Sequence, residues 1–76
     1  MNLYLLEQDE NNGWDTFDAC IVASRSEQQA RLIRPDTGFD DLGTQWVKPE
    51  DVKVTLLGTA LESVEPGIIL ASFNAG

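Results

Sequence analysis

The sequence predicts an α+β fold: a small antiparallel β-sheet with one helix packed on one face, in the order β-β-α-β-β. Three observations predict it. Four short apolar runs are separated by turn residues. One stretch of good helix formers lies between the second and third runs. The last run, Gly67–Phe73, is uncharged and about seven residues long, where a helix usually needs about ten. It reads as a strand buried on both faces, hence in mid-sheet with a neighbour on each side.

The elements follow in order. Leu3–Gln8 is the first strand, and its nearly unbroken apolar run places it inside the sheet or beside the C-terminal strand. Asp9–Gly13 is a turn, with Asn12-Gly13 favouring the positive φ of a tight hairpin. Trp14–Ala23 is the second strand. Phe17, Ala19, Ile21 and Ala23 fall on one side, and Asp18, Cys20 and Val22 on the other. Ser24 and Glu27 have the spacing of a capping box, and the residues to Arg34 continue the helix, with Ala30 and Ile33 toward the sheet. Pro35 ends it, because proline lacks an N–H and pushes Arg34 out of the helical region. Asp36–Lys48 has no periodicity, and an irregular segment of this length is uncommon unless functional. Pro49-Glu50-Asp51 is a single turn. Val52–Leu57 is the third strand, closed by Gly58, and Thr59–Pro66 is a polar connection to the last.

A chain of 76 residues is one small domain, and at this size only about 60% of the unfolded surface is buried. Little core is left for a deep pocket. Thirteen acidic residues face five basic ones, a net charge of −8. That opposes direct binding to nucleic acid or to an anionic membrane, and suits solubility or a basic partner. The single cysteine, Cys20, forms no internal disulfide and fits a reducing cytoplasm. The residues after Met1 have no basic, long apolar signal pattern, so no signal peptide is expected, and no apolar run approaches the roughly 18 residues of a membrane span.

Candidate chemistry is sparse. The sequence has no histidine, which removes histidine-based nucleophilic triads and histidine zinc sites. Cys20 reads as an inert small hydrophobe. The glycines lack phosphate-loop spacing. Asp9-x-Asn11-x-Gly13 starts like a calcium loop but fails at once, with Trp14 where the loop glycine belongs and Cys20 where the closing glutamate belongs. Asp40-Asp41 with Glu50-Asp51 would suit a hard metal ion, and Asp51-Val52-Lys53 has the acidic-x-Lys spacing of metal-dependent nucleases. Solvated loop carboxylates account for both better, because −8 opposes DNA approach. No catalytic residue, metal or cofactor is expected.

Two features remain. Trp14 and Trp46 stand beside acids near predicted loops, and each either caps an end of the core or anchors an interface. The acids cluster at the first hairpin and around the long loop. Acids two apart on an extended chain stand about 6.6 Å apart, close to phosphate spacing along a nucleic acid. An acidic face of that kind would enter a cleft that a partner uses for DNA. The candidate partner-binding residues are Trp14, Asp15, Asp36, Asp40, Asp41, Trp46, Glu50 and Asp51.

Leu3–Gln8, Gly13–Ala23, Val52–Gly58 and Ile69–Gly76 together resemble a group of small phage- and prophage-encoded proteins. The resemblance covers nearly the whole chain, the Ala-Ser-Phe-Asn-Ala-Gly ending is its most specific part, and Asp36–Lys48 varies most. It implies a phage protein acting in the bacterial cytoplasm. Small acidic phage proteins without catalytic residues look like anti-CRISPR and other host-defence inhibitors, which bind an effector and often fill its DNA site. No residue role carries over. The expectation is a non-enzymatic inhibitor that docks on a basic nucleic-acid-binding host protein, such as a CRISPR complex. The alternatives are an accessory phage protein that self-associates, for example as a homodimer through a sheet edge, and a small metal-dependent enzyme.

Overall fold

The computed structural model describes residues 1–36 and 45–74. Its elements are β1 (Asn2–Glu7), β2 (Thr16–Ser24), α1 (Glu27–Arg31), a 3-10 turn (Pro49–Asp51), β3 (Lys53–Thr59) and β4 (Gly67–Asn74). The strands form one sheet in the order β3-β1-β2-β4, with every neighbouring pair antiparallel. With one short helix packed on it, this is the α+β arrangement that the sequence predicts.

The β1–β2 hairpin is the middle of the sheet. Tyr4 stands opposite Val22 and Leu6 opposite Cys20, and all four are buried on the helix side. Ala30 of α1, Trp46, Val47 and Val52 complete that core, with Ile33, Val54 and Ala71 packed at its margin. The Ser26 hydroxyl caps α1 by accepting from Gln29 N at 3.2 Å. Arg31 donates from its guanidinium to the carbonyls of Pro49 (3.1 Å) and Val52 (2.6 Å), tying the helix to the entry of β3. Its ion pair with Glu27, at 3.6 Å on the surface, adds only about 0.3–0.5 kcal/mol.

The structure corrects the sequence expectations in five places. First, β4 is an edge strand, paired with β2 alone. Ile69 and Leu70 are 51% and 64% exposed. The helix packs on β1, β2 and β3, and β4 lies beyond its reach. Second, the cap of α1 is Ser26 and not Ser24. Ser24 still belongs to β2, opposite Asn2, and its hydroxyl donates to Ser26 O within the turn. Third, α1 ends at Arg31, three residues earlier than expected. Its last turn closes with Leu32 N on Gln29 O and Ile33 N on Ala30 O, and Pro35 is buried beyond it. Fourth, neither Asn12 nor Gly13 takes a positive φ. The connection is a longer loop, and Asp15 (φ 59°) makes the left-handed step.

Fifth, β2 does not alternate without interruption. Phe17 pairs with Phe73 and Ala19 with Ser72, so β2 has one residue more than β4 over this stretch. This bulge lets Phe17 join Cys20 and Val22 in the core and leaves Asp18 exposed. The Phe17 and Phe73 rings meet with centroids 4.8 Å apart, fastening the end of β4 to β2. Two further irregularities place an extra residue in β3 (Leu57) and in β4 (Ile69).

Because β3 and β4 are opposite edges, residues 60–66 cross an entire end of the sheet. Three strand spacings are about 14 Å. Ala60 is buried where this crossing begins, and its N–H donates to Met1 O at 2.9 Å.

Trp46 is 1% exposed and is the largest fully buried side chain. Its indole N–H has no hydrogen-bond partner among the described residues, so it contributes through volume rather than through a polar bond. Trp46→Ala is expected to cost about 3–5 kcal/mol in denaturant unfolding, a large share of what a domain of this size holds. A loss below about 1 kcal/mol would show that Trp46 is not a core residue.

Candidate functional site

The site is built at the end of the sheet where β1 stops and β2 and β3 begin. Gln8 organises it. This side chain is buried, and all four of its hydrogen-bonding positions are used. Its Oε1 accepts from the N–H groups of Glu10 and Asn11, both at 2.8 Å. Its Nε2 donates to Asn11 O at 2.8 Å and to Phe17 O at 2.7 Å. The loop after β1 is thereby wrapped around one carboxamide. Asn11 then donates its side-chain amide to Trp46 O, joining the loop to the segment that enters the core. Thr16 Oγ1 donates to Gly13 O at 2.8 Å, and Asp15 N to Asn74 O at 2.6 Å.

These bonds hold an acidic rim. Glu7, Asp9 and Asp51 line one shallow cleft together with Lys53. Glu10 and Asp51 line the adjoining one, with Arg34 and Lys48. Asp51 is thus shared, and basic side chains stand among the acids. Glu50 is exposed beside Asp51 on the 3-10 turn. Among the described residues no strand carries acids at alternate positions, while Glu7 and Asp9, two apart at the end of β1, line the same cleft.

The two tryptophans part company. Trp46 is in the core and is not available as an anchor. Trp14 is 81% exposed, on the loop that Gln8 holds, next to the exposed Asp15. Asp36 is exposed beyond α1. Asp40 and Asp41 lie outside the described residues. Of the expected site residues, the fold brings Asp51 beside Asp9, Glu10 and Asn11 of the loop that further along carries Trp14 and Asp15.

Three contributors escaped sequence reasoning. Gln8 read only as the last residue of a strand. Asn11 read as a turn former. Asp18 is fixed at the start of β2, accepting from the Ser72 hydroxyl (3.3 Å) and the Asn74 side-chain amide. The one available signal for Gln8 was a polar residue closing an apolar run just before a loop rich in polar residues.

Burial pushes the Cys20 thiol up to about 11, which disfavours the thiolate. Among the described residues no group of three or more His, Cys, Asp or Glu side chains is placed to hold a metal ion, and no helix is long and apolar enough to cross a membrane. Comparison with protein-family models, curated proteins and solved structures finds no match for this chain.

Gln8→Leu keeps the bulk of the side chain but strands the N–H groups of Glu10 and Asn11 and the carbonyl of Phe17. It is expected to lower stability by about 2 kcal/mol or more. It should also speed amide hydrogen exchange at Glu10 and Asn11. Unchanged exchange at both positions would show that the carboxamide does not hold the loop.

Proposed function

We propose that this chain is a non-catalytic, phage-encoded inhibitor that docks the acidic end of its sheet on a basic, nucleic-acid-binding host protein. The observation that carries the proposal is Trp14. An indole that is 81% exposed, next to Asp15 on the loop that starts at Gln8, is an accessible apolar anchor. Docking a tryptophan buries about 150–250 Å². Glu7, Asp9, Glu10, Glu50 and Asp51 would steer a basic partner and set its orientation, contributing more to association rate and specificity than to raw affinity. Lys48 and Lys53 among them fit a partner whose basic surface has acidic breaks, and fit a uniform phosphate-like mimic less well.

The host partner and the bacterial cytoplasm come from the resemblance to small phage and prophage proteins. That resemblance points to a defence effector such as a CRISPR complex. The net charge of −8 supports contact with protein rather than with nucleic acid or an anionic membrane. A second reading, an accessory protein that self-associates, is favoured by the exposed apolar residues of β4.

The test is calorimetric titration into a purified CRISPR effector complex, with and without duplex DNA competitor. Binding that DNA displaces, that weakens about tenfold or more in Trp14→Ala, and that falls as salt rises to about 0.5 M is expected. No binding, or affinity indifferent to both the substitution and salt, would overturn the proposal.

A further inference from the structure

We propose that the face of the sheet opposite α1 is a self-association surface, which stacks on the same face of a second copy of this chain. This inference does not depend on the acidic end.

The register places one row across all four strands: Thr55, Leu5, Ile21 and Leu70. By strand alternation these side chains lie on the side away from Tyr4, Leu6, Cys20 and Val22. Leu5, Ala19, Ile21, Leu70 and Ser72 line one continuous shallow groove there. Leu70 is 64% exposed, and Leu5 and Ile21 remain partly exposed in the middle of the sheet. An antiparallel sheet with one solvated face ordinarily sets polar residues on that face. Here the centre of the face is leucine and isoleucine, an apolar patch of the kind that marks an interaction surface.

Charge selects the occupant. The next row is Lys53, Glu7, Ala19 and Ser72, with Lys53 and Glu7 directly opposite one another. Asp18 stands at the corner, hydrogen-bonded by Ser72 and Asn74. The charges of these two acids and one lysine sum to −1 on a chain of −8. A basic partner has little to recognise on this face and would favour the acidic rim. A second copy meets an uncharged centre identical to its own, and two-fold stacking brings the apolar row onto itself. Most other ways of joining two chains of −8 bring carboxylates together.

Area sets the strength. Four strands about 4.8 Å apart, with about five usable residues at about 3.3 Å each, give a flat patch of roughly 300 Å² per copy. Two such patches bury roughly 600 Å² in total, and even with standing side chains added the contact falls short of the ~1,200–2,000 Å² of specific, stable interfaces and belongs with weak, transient ones. The dimer is therefore weak and reversible. The two sheets would pack about 10 Å apart in a sandwich.

Sedimentation equilibrium of the whole chain, from about 1 μM to 1 mM, tests this. Monomer–dimer exchange that tightens with added salt is expected, since salt screens the like net charges. Thr55→Arg and Leu70→Arg are each expected to weaken the dimer about tenfold or more, although both lower the net negative charge. Leu32→Arg, at an exposed position following α1, is expected to leave it unchanged. Circular dichroism confirms folding of each variant, and both face positions are exposed enough to accept arginine. Three outcomes overturn the proposal: a monomer throughout, equal loss in all three variants, or loss in Leu70→Arg with none in Thr55→Arg. The last would assign association to pairing along the β4 edge.

Discussion

A buried carboxamide with every hydrogen-bonding position filled is the constraint on which the acidic end of this molecule depends. Gln8 follows the last residue of β1, donates its backbone N–H to Asp18 O of β2 at 3.2 Å, and adds side-chain bonds to Glu10, Asn11 and Phe17. The loop has no turn of the tight Asn-Gly kind to define it; Gln8 holds its first half, and the Thr16 hydroxyl on Gly13 O and Asp15 N on Asn74 O hold its second. Asn11 passes the constraint on to Trp46 O, and Trp46 fills the core. The conformation of the loop and the packing of the core are coupled through two amide side chains. Such a network is valuable when complete and costly when one member is removed.

The strand order then divides the surface into regions of different chemistry. With the β1–β2 hairpin in the middle, β3 and β4 become edges, and the connection between them crosses one end of the sheet. The opposite end receives the β1–β2 loop and the 3-10 turn, which is why Asp9, Glu10 and Asp51 meet although they are some forty residues apart in sequence. One face of the sheet is closed by α1, Trp46 and Val47, and the other keeps its apolar row. A five-residue helix cannot also cover β4, so the most apolar strand of the chain lies at the margin.

Much of this fold was legible in the sequence, for reasons of hydrophobic pattern and proline chemistry. The four strands, their order along the chain, the single helix and the turn at Pro49 followed from short apolar runs and their breakers. The lateral order of the strands did not, because an apolar run reports what a strand tends to bury and not which neighbour supplies the cover. Gly67–Phe73 read as a central strand for this reason, and its exposed Leu70 is the residue that the proposed stacking would cover. The roles of Trp14 and Trp46 were open, since both sit beside acids and only tertiary packing separates them. Ser24 and Ser26 stand two apart, and β2 extending through Ser24 decided which became the cap. Local spacing carries no record of that competition. Of the site, the acids were visible as composition, while Gln8, which holds the backbone of Glu10 and Asn11, looked like any polar residue at the end of a strand.

The most direct test of the central claim, that Trp14 is the anchor of a docking end, is the emission of Trp14 observed alone. A Trp46→Phe protein retains it as the single tryptophan. On titration with a bound effector complex containing no tryptophan signal of its own, through fluorinated or otherwise silent tryptophan, Trp14 emission is predicted to shift to the blue as its exposed ring enters a dry contact. A complex that forms while the emission stays that of a water-exposed indole would contradict the account and move the docking surface away from the loop held by Gln8.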